Sequence, residues 1–542
     1  MLHFRMLAAM LVFVVLQPSS QAAETETRQS NPDTANLDTI TVTASLRERP
    51  LREVANSITV IDAARISEIL AADIKDLTRY TPWMSVANDP SRFGLSGFNI
   101  RGLTGNRVKT VIDGVPVANS FSVGSYSSSG RDAISPSMVS NAEVLRGPAS
   151  ALFGSDAMGG VVSYTTFAPD DFLLGSNKSR YFGASTRYDG RDNSLAASIT
   201  AATQLTNAAM LISATMRRGH EIDNRAISDA GRPNPRSNNQ FDFAGKFVLP
   251  TSSGEITLGI DGRRTHVTTE VDDLEGQGRF ASTTFLQGDD RLTRDRVSLA
   301  GQMRMDSTLA DDVRWAVYFQ QSSTDQRSIE ERAASSRSPS PTRRFPEFRF
   351  DEKVTGASAS AARDVRKGRL MHRLLYGLQL DRRTVNESRD NLLVNLDTGA
   401  ATKVVLGETF PVRDFPVTQI TEAAVFLHDE ITPGEGRFTL IPGLRAEYYR
   451  LDPQPDSVYT EDNPSSGVVS ISEVSLAPKL GAVIQLNEST SLFAQYARGF
   501  RSPPFEDANI GLEVPLFNVR AIANPDLKPE TSDGVEIGLR VV

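Results

Sequence analysis

The sequence predicts a membrane β-barrel, antiparallel and up-and-down, preceded by a compact α+β domain. From Ser179 onward, segments of about ten residues alternate between apolar and polar side chains. Short and long connections also alternate between these segments, as they must in a barrel with turns on one side of a membrane and loops on the other. Before residue 168, short strand and helix patterns follow each other instead, which indicates a separate N-terminal domain.

The composition excludes several classes of function. The chain has 542 residues, which is enough for two domains or more. Its net charge of -8 argues against a nucleic-acid partner, because such a surface needs a basic stripe. It contains no cysteine, so a disulfide framework and a thiolate metal site are both excluded.

Residues 1–22 are predicted to be a signal peptide. His3 and Arg5 precede an apolar run, Leu7–Leu16, which is too short to span a bilayer. Ser20–Ala22 then offers a small-x-small cleavage site. The alternative is a retained anchor. Export would place the mature chain outside the inner membrane.

Residues 23–45 are predicted to be a disordered tail that contains one β-prone segment. Glu24–Asn36 is polar, whereas Leu37–Ser45 reads LDTITVTAS and places Ile40 and Val42 among alternating threonines. This segment is either an ordinary first strand or a strand that pairs with the exposed sheet edge of a partner.

Residues 46–167 are predicted to form one α+β domain of about 120 residues, a usual size for a single core. Residues 58–61 read as a strand, and residues 63–78 have the apolar spacing of one amphipathic helix. Asp113–Gly114 is a turn signal between two strands.

Residues 178–542 are predicted to contain about fourteen transmembrane strands, with boundaries uncertain by a few residues. The clearest candidates are residues 181–188, 196–205, 210–218, 241–249, 256–264, 314–321, 423–431 and 491–500. The predicted long loops are residues 219–238, 268–290, 322–350, 384–418, 451–471 and 501–531.

Several motifs of the N-terminal domain resemble the plug domain of TonB-dependent outer-membrane transporters. They are NIRG at 99–102, VIDGVPV at 111–117 and VLRGPASALFGSDAMGGVVSYTT at Val144–Thr166, in the order and approximate spacing of that family. The resemblance implies a gated importer in the outer membrane of a Gram-negative bacterium, and no enzyme. It also implies a plug seated inside the barrel, and outer-membrane lipid as a partner of the protein.

The resemblance assigns roles to two sets of residues. LDTITVTAS then corresponds to a TonB box, through which the family couples to TonB and its inner-membrane energising complex. The implied TonB-binding residues are Asp38, Thr39, Ile40, Thr41, Val42, Thr43 and Ala44. Arg101, Glu143 and Arg146 are implied to pair with charges on the inner wall of the barrel; the alternative is a set of solvated pairs of little energetic value.

Late motifs resemble one branch of the family, the receptors for haem, haemoglobin, transferrin and lactoferrin. They lie at residues 440–459, 499–511 and 524–538. In that branch a histidine that grips haem iron lies between an FRAP-like and an NPNL-like motif. Here Phe500–Pro503 and Asn524–Leu527 stand at those places, and no histidine lies between them.

The implied cargo is haem, a haem protein of the host or a ferric siderophore, with no permanently bound cofactor and no resident metal. Imidazole and phenol groups ligate haem iron, which makes His220, His266 and Tyr126 candidate ligand residues. Arg343 and Arg344 lie in an arginine-rich segment suited to haem propionates, an anionic siderophore or lipopolysaccharide. For all five, the alternative is an ordinary rim or loop residue.

Plugged transporters of this kind have 22-stranded barrels, and about fourteen strands are countable here before Val542. The expectation is therefore a barrel lacking its C-terminal strands. Two alternative functions remain open: a passive porin or adhesin-type barrel, and a non-functional truncated receptor. A barrel enzyme has little support, since the sequence contains no Gly-x-Ser-x-Gly elbow in a strand–turn–helix context and no His-Glu-x-x-His motif.

Overall fold

The structure is a computed structural model that describes residues 41–42, 49–124, 127–174, 179–224, 231–336, 338–434, 436–464, 467–514 and 519–541. The predicted signal peptide lies outside the described residues, as does most of the predicted tail. None of the helices in the described residues is long and apolar enough to cross a membrane.

Short strands and helices make up the plug. They are β1 (Thr41–Val42), β2 (Arg49–Pro50), β3 (Ser57–Asp62), α1 (Ala63–Glu68), α2 (Ile74–Thr78), β4 (Met84–Asp89), β5 (Gly94–Ile100), β6 (Val108–Ile112), β7 (Val115–Pro116), β8 (Phe121–Ser122), β9 (Ser128–Ser129), β10 (Val139–Arg146), α3 (Ser150–Phe153), β11 (Gly160–Thr166) and α4 (Asp170–Leu173). Five of the strands form one sheet in the order β3-β10-β11-β6-β7.

The plug core lies between this sheet and the two helices that follow β3. Strand β10 is central and antiparallel to both β3 and β11, while β11 runs parallel to β6. Apolar side chains from both helices and from the inner sheet face form one buried cluster. Its largest fully buried members are Ile74, Ile100, Ile112 and Tyr164. This burial stabilises the α+β domain that the sequence predicts.

The single helix predicted over residues 63–78 is wrong, because the chain forms two short helices there. Leu70 adopts a φ of 50°, a left-handed conformation that ends the first helix. Asp73 then caps the second helix, its side chain accepting hydrogen bonds from the backbone N–H groups of Lys75 and Asp76. The apolar spacing runs through both helices, so periodicity alone does not reveal the break.

A single antiparallel sheet of seventeen strands forms the wall. Its strands are β12 (Arg180–Asp189), β13 (Ser194–Gln204), β14 (Ala209–Gly219), β15 (Arg236–Pro250), β16 (Gly254–Glu270), β17 (Thr283–Arg304), β18 (Asp312–Arg332), β19 (Thr342–Arg344), β20 (Glu347–Lys367), β21 (Leu370–Asp390), β22 (Leu393–Asn395), β23 (Ala401–Thr402), β26 (Val417–Pro433), β27 (Phe438–Gln454), β28 (Ile471–Gln485), β29 (Thr490–Arg501) and β32 (Glu530–Val541). Three of the seventeen, β19, β22 and β23, have two or three residues, and the other fourteen are long.

The remaining elements lie in the long connections. They are β24 (Val404–Val405), β25 (Glu408–Thr409), α5 (Ser457–Asp462), α6 (Phe505–Ala508), β30 (Leu512–Val514) and β31 (Val519–Ala521). Fourteen long strands agree with the number predicted from the alternating pattern. Among the described strands, β12 pairs only with β13 and β32 pairs only with β29.

The wall strands present apolar side chains on one face and polar ones on the other. In β32, for example, Val535 and Ile537 are 77% and 73% exposed, whereas Glu536 between them points to the plug. A surface that is apolar outward and polar inward is the arrangement required of a strand that faces lipid. The fold is therefore an antiparallel membrane β-barrel wall with an N-terminal plug.

Several strands extend well beyond the predicted segments. Residues 322–332 and 347–350 were predicted as loop, but they belong to β18 and β20, which have 21 residues each. Only about ten residues of a strand are needed to cross a membrane. In β18 this extension, residues 322–332, is mostly polar, so the hydrophobic alternation that identifies a transmembrane strand ends before the strand does. In β20 the extension alternates the buried Phe348 and Phe350 with charged residues.

The wall curves around the plug. Side chains or backbone groups that contact the plug come from strands distributed along the whole sheet. Examples are Thr215 on β14, Lys246 on β15, Arg263 on β16, Asp290 on β17, Gln326 on β18, Glu352 on β20, His428 on β26, Glu447 on β27, Lys479 on β28, Phe500 on β29 and Glu536 on β32.

Candidate functional site at the plug and wall

Buried ion pairs attach one side of the plug to the wall. Arg92, between β4 and β5, donates from Nη2 and Nε to the two carboxylate oxygens of Asp290 at 2.7 and 3.0 Å. The two side chains are only 4% and 5% exposed. Arg92 Nη1 also donates to Ser328 Oγ at 2.7 Å. Two parallel charged hydrogen bonds fix this geometry, and neither charge has water to replace its partner.

Asp113 makes a second connection from the turn between β6 and β7, with a side chain that is 20% exposed. Arg296 Nη2 donates to its carboxylate at 2.7 Å, Lys246 Nζ lies 3.5 Å away, and the backbone N–H of Thr166 donates at 2.9 Å. Burial acts to raise the pKa of Asp113, but Lys246, Arg296 and Thr166 outweigh it and hold the pKa below its usual range. The carboxylate is therefore charged at neutral pH and bridges plug and wall.

Asp132 contributes a third contact, to β16. Arg263 Nη2 donates to its Oδ2 at 2.9 Å. Burial raises the pKa of Asp132 although Arg263 opposes this effect. Together Arg92, Asp113 and Asp132 contact oppositely charged side chains on strands β15, β16 and β17; we call this side of the plug its charged face.

The helix α3 meets the opposite part of the wall, and Gly154 at its end is required by close approach. Gly154 has a φ of 75°, and a Cβ there would lie 2.3 Å from Glu447 Oε2 and 2.7 Å from Arg445 Nη2. The wall residues Arg445 and Glu447 pair with each other at 2.7 Å. The backbone N–H of Ser155 donates to Glu447 Oε1 at 3.2 Å. A side chain at position 154 would therefore displace the side chains of Arg445 and Glu447.

An aromatic cluster connects the apex of the plug to the long loops. Phe121 of β8 stacks on Phe350 with ring centroids 5.6 Å apart and meets the edge of Phe415 at 5.2 Å. Phe505 of α6 lies 5.0 Å from Phe415 and 6.3 Å from Phe350. Aromatic side chains from the end of β20, from the β21–β26 connection and from α6 therefore pack around one plug side chain.

The loops themselves are connected by ion pairs. Arg389 donates to the buried carboxylate of Asp414 at 2.5 Å, and Arg413 donates to Asp456 at 2.9 Å. The first pair joins the β21–β26 connection to the end of β21, and the second pair joins the same connection to the start of α5. These contacts hold the long loops together above the aromatic cluster.

Of the three predicted plug–wall residues, Arg101 lies against the wall. Its Nη2 donates to Glu536 Oε1 on β32 at 2.6 Å. Arg107, which was not predicted, does the same with Glu530 at 2.6 and 2.8 Å. Both pairs are partly open to solvent, so they are weaker than the pairs of the charged face.

Glu143 and Arg146 each make a hydrogen bond within the plug. Glu143 is buried in β10 and accepts a hydrogen bond from Asn141 Nδ2 at 2.9 Å. Arg146 Nη1 donates to the carbonyl of Pro82 at 3.1 Å. Burial lowers the pKa of Arg146, and the neighbouring charge of Arg101 lowers it further. The pairing of Glu143 and Arg146 with charges on the inner wall of the barrel stays a prediction.

The structure does not bring the candidate iron ligands His220 and His266 into one cluster with other metal-binding side chains. The third candidate, Tyr126, lies outside the described residues. His220 follows β14, is exposed, and donates its backbone N–H to the carbonyl of Asp192. His266 on β16 lies 2.9 Å from Asp289 Oδ2 through Nε2. In the described residues, no three His, Cys, Asp or Glu side chains come together in a way that could hold a metal ion.

Arg343 and Arg344 lie on β19, the short strand between β18 and β22, and already contact wall carboxylates. Arg343 donates to Glu331 at 2.6 Å, and Arg344 Nη1 lies 4.0 Å from Glu330. A carboxylate or phosphate ligand would therefore compete with these glutamates for the two guanidinium groups.

Only part of the implied TonB box lies within the described residues. Thr41 and Val42 form β1 and pair with Arg49–Pro50 in an antiparallel ladder. Residues 38–40 and 43–44 lie outside the described residues. The segment is therefore β-forming where it is described, as both interpretations of it require.

Sequence reasoning missed most of the residues that attach the plug to the wall. Arg92 and Asp290 are 198 positions apart, and no local pattern connects them. Asp113 was identified only as a turn residue. The one available signal was charge: arginine and aspartate within otherwise apolar plug and wall segments must find partners when they are buried.

Comparison with protein families agrees with this architecture. Residues 50–161 match the model described as TonB-dependent Receptor Plug Domain, and residues 220–541 match TonB dependent receptor-like, beta-barrel. The chain is similar to a hemin receptor of Yersinia enterocolitica, at 24% identity over 538 residues, which is 98% of this chain and 70% of that receptor. It is also similar to transferrin-binding protein A of Neisseria meningitidis serogroup B, at 30% identity over 244 residues, 43% of this chain and 25% of that protein.

Solved structures share the fold. The hemophore receptor HasR of Serratia marcescens, in complex with its hemophore HasA and heme, superposes with a TM-score of 0.67 at 17% identity, covering 91% of this chain and 70% of that one. The FrpB iron transporter of Neisseria meningitidis gives a TM-score of 0.65 at 16% identity, covering 90% and 70%. Because the barrel model alone matches more than half of the residues, the chain belongs to the TonB-dependent receptor family.

Proposed function

We propose that this protein takes up an iron-containing ligand across the outer membrane of a Gram-negative bacterium, with energy supplied through TonB. The observation that supports this most is a plug held inside the wall at two places with different chemistry. Buried charges fix its charged face, and its apex packs on the loops through Phe121. A ligand that moves the loops would thereby move the plug.

The class of cargo follows from the relatives. Their names describe receptors for hemin, hemoglobin–haptoglobin and transferrin. The hemin receptor aligns over 98% of this chain, which includes both plug and wall. We propose haem, a haem protein or a ferric siderophore as the transported ligand. His220, His266, Tyr126, Arg343 and Arg344 are the proposed contacts for it, and the absence of a histidine between residues 503 and 524 favours an iron ligand other than the one the family uses there.

We also propose the division of the chain that the sequence predicts: a signal peptide at 1–22, a tail with the TonB box at 23–45, a plug at 46–167 and a wall at 178–542. Residues 38–44 would become available to TonB when the plug shifts. A β-forming segment suits this role, because pairing with a partner's sheet edge supplies affinity through backbone hydrogen bonds.

A passive porin is the main alternative, and the plug argues against it. A diffusion pore needs a water-filled lumen, whereas this lumen contains a domain fixed by buried ion pairs such as Arg92–Asp290. An adhesin-type barrel would not need such pairs either. The family to which the chain belongs consists of transport receptors rather than enzymes.

Growth on defined iron sources tests the proposal. The chain is expressed in a strain that lacks siderophore synthesis and its own haem receptors, with intact or disrupted TonB, and is supplied with haem, haemoglobin, transferrin or ferric siderophores. We expect growth on at least one source, only with intact TonB. Growth that does not depend on TonB would support the passive pore, and growth on none of the sources would contradict iron uptake.

A further inference from the structure

Seven charged side chains come together where long connections of the wall meet. They belong to the loop end of β21, to the β21–β26 connection and to α5 in the β27–β28 connection. We call them the loop lock: Glu387, Arg389, Glu408, Arg413, Asp414, Asp456 and Asp462. Five of the seven are acidic and two are basic, so the two guanidinium groups cannot neutralise all five carboxylates.

Both guanidinium groups of the loop lock are bonded to carboxylates other than that of Glu387. Arg389 donates from Nε and Nη2 to the two carboxylate oxygens of Asp414 at 3.0 and 2.5 Å. Arg413 donates from Nε to Asp456 Oδ2 at 2.9 Å. Among the described residues, neither guanidinium donates to the carboxylate of Glu387, which would have no directly bonded cation if it were ionised.

Glu387 is also the most poorly solvated acid of the loop lock in terms of hydrogen bonds. Its side chain is 1% exposed, and β20 places Phe350 opposite it. Its Oε2 accepts the backbone N–H of Asp414 at 2.9 Å, while its Oε1 has no hydrogen-bond partner in the described part of the chain. A neutral carboxyl group is far less costly to bury in such a place than a carboxylate.

Burial is the main reason why the pKa of Glu387 is raised well above its usual range. The charge of Asp414 raises this pKa further, while Arg389 and Arg413 oppose the rise. Glu387 lies near the loop end of β21, beyond the ten or so residues of a strand that cross a membrane. The closed lock therefore favours the protonated form of this carboxyl group.

The charged groups on other elements packed around Glu387 have partners of their own. On β20, Glu352 Oε1 lies 3.6 Å from Arg383 of β21. On α6, Glu506 pairs with Arg501 at 3.1 Å. The balance of charge at Glu387 is therefore set within the loop lock.

The sign of the pH dependence follows from the raised pKa. When the connections separate, Glu387 returns to water, where the pKa of a glutamate is about 4.3. The closed form binds the proton more tightly than the open form, so closing becomes less favourable as the pH rises from about 4.3 toward the raised pKa. Burial also raises the pKa of Asp462 to about 6 and raises that of Glu408, which adds to the same trend.

The loop lock also fixes the last long connection. The backbone N–H of Gly511, between β29 and β32, donates to the carbonyl oxygen of Asp414 at 2.7 Å. Asn463, directly after α5, donates from Nδ2 to the carbonyl oxygen of Arg413 at 3.2 Å. Residues 413 and 414 thus join β21 to two further connections, and Glu387 is bonded to their backbone.

We propose that a proton on Glu387 keeps three long connections of the wall locked together, and that loss of this proton to water loosens them. Ionised Glu387 would stand beside the charged Asp414, and the repulsion would push residues 413 and 414 away from β21. The inference rests on the proposed function, because these connections lie on the side from which a ligand would arrive, and it adds a regulation of their closing by pH.

Spin labels on two of the connections test the proposal. The chain has no cysteine, so Asp397→Cys and Gly467→Cys give two unique labels on exposed positions of the β21–β26 and β27–β28 connections. A Cβ at position 467 meets no other atom within 4 Å. Pulsed electron paramagnetic resonance then measures the distance between the labels in the purified protein in detergent, frozen at about pH 5 and about pH 8.

We expect a longer and broader distance distribution at about pH 8 than at about pH 5. Glu387→Gln should give the short, narrow distribution at both values, because glutamine stays neutral and its amide oxygen still accepts the N–H of Asp414. The matched control is Glu461→Gln, an exposed acid of α5, which should respond to pH like wild type. The proposal is overturned if wild type does not respond, if Glu387→Gln responds like wild type, or if Glu461→Gln abolishes the response.

Infrared spectroscopy gives a second measurement that does not require the glutamine variant to fold. In wild type, the carbonyl stretch of a protonated carboxyl group should disappear between about pH 5 and about pH 8 in step with the change in label distance. A change in distance without a carboxyl band that titrates with it would also overturn the proposal.

Neither measurement needs an iron source, TonB or uptake. A pH response that depends on Glu387, in a protein that supports no iron-dependent growth, keeps the loop lock and rejects the proposed function. Iron-dependent growth with label distances that ignore pH rejects the loop lock and keeps the proposed function.

Discussion

Replacing Arg92 by methionine tests whether buried ion pairs hold the plug. The change keeps most of the side-chain volume but leaves the Asp290 carboxylate, 5% exposed, without its partner. Removing one member of a buried pair costs about 3–5 kcal/mol of folding stability. As a control, Arg65→Met breaks the Arg65–Glu68 pair on α1, whose side chains are 44% and 67% exposed; such a solvent-exposed pair contributes little to stability.

The measurement is urea-induced unfolding of the purified protein in detergent, followed by intrinsic fluorescence. We expect the Arg92 variant to lose several times more stability than the Arg65 variant. The double variant Arg92→Met with Asp290→Asn should recover part of the loss, since it removes the unpaired charge. Equal losses for the Arg92 and Arg65 variants, or no recovery in the double variant, would refute the claim that the buried pair fixes the plug.

Three further predictions concern the plug. Gly154→Ala should destabilise the protein more than Gly102→Ala in urea unfolding. Both glycines have positive φ, a conformation that costs alanine about 1–2 kcal/mol. Only the alanine at position 154 would also place its Cβ against Glu447. Phe121→Ala should cost about 3–5 kcal/mol and make the long loops more susceptible to trypsin, because the aromatic cluster loses its centre. The pKa of Asp113 is held below its usual range, so the charged carboxylate contributes its full stabilisation of the protein at neutral pH, and this contribution declines as the pH falls below about 4. The Asp113→Asn variant should therefore be less stable than wild type at pH 7. Its stability should also depend less on acid pH in the same unfolding assay.

The parts of the fold that depend on local pattern were predictable. The plug motifs reflect physical needs that this structure shows, such as the close approach of Gly154 to the wall and the tight turn at Asp113. The alternation of apolar and polar residues reflects strands with one face toward lipid, which is why the number of long strands agreed with the structure.

The parts that depend on long-range pairing were not predictable. Nothing in the sequence around Arg92 indicates that its partner is Asp290, and the wall contact of Arg107 is equally nonlocal. The break between α1 and α2 depends on a single residue, Leu70, in a left-handed conformation that periodicity does not show. Polar strand extensions above the membrane, as in β18, resemble loops because no apolar face marks them.

The candidate site was predicted in outline rather than in detail. The sequence indicated that plug and wall charges would meet, and Arg101 lies against Glu536. Among the described residues, the predicted ligand residues are spread over β16, β19 and the segment after β14, and Arg343 contacts Glu331. Which loop side chains approach each other depends on the loop ion pairs, such as Arg413–Asp456, and these join segments more than forty positions apart.

The most direct test of energised uptake is the accumulation of radiolabelled iron in cells that express the protein without residues 38–44, the implied TonB box. The matched control lacks residues 24–30, an equally long part of the same tail. If TonB pulls on this segment to open the plug, accumulation stops in the first strain and continues in the second, while ligand binding at the cell surface is unchanged in both. Accumulation at the wild-type rate without residues 38–44 would contradict the account.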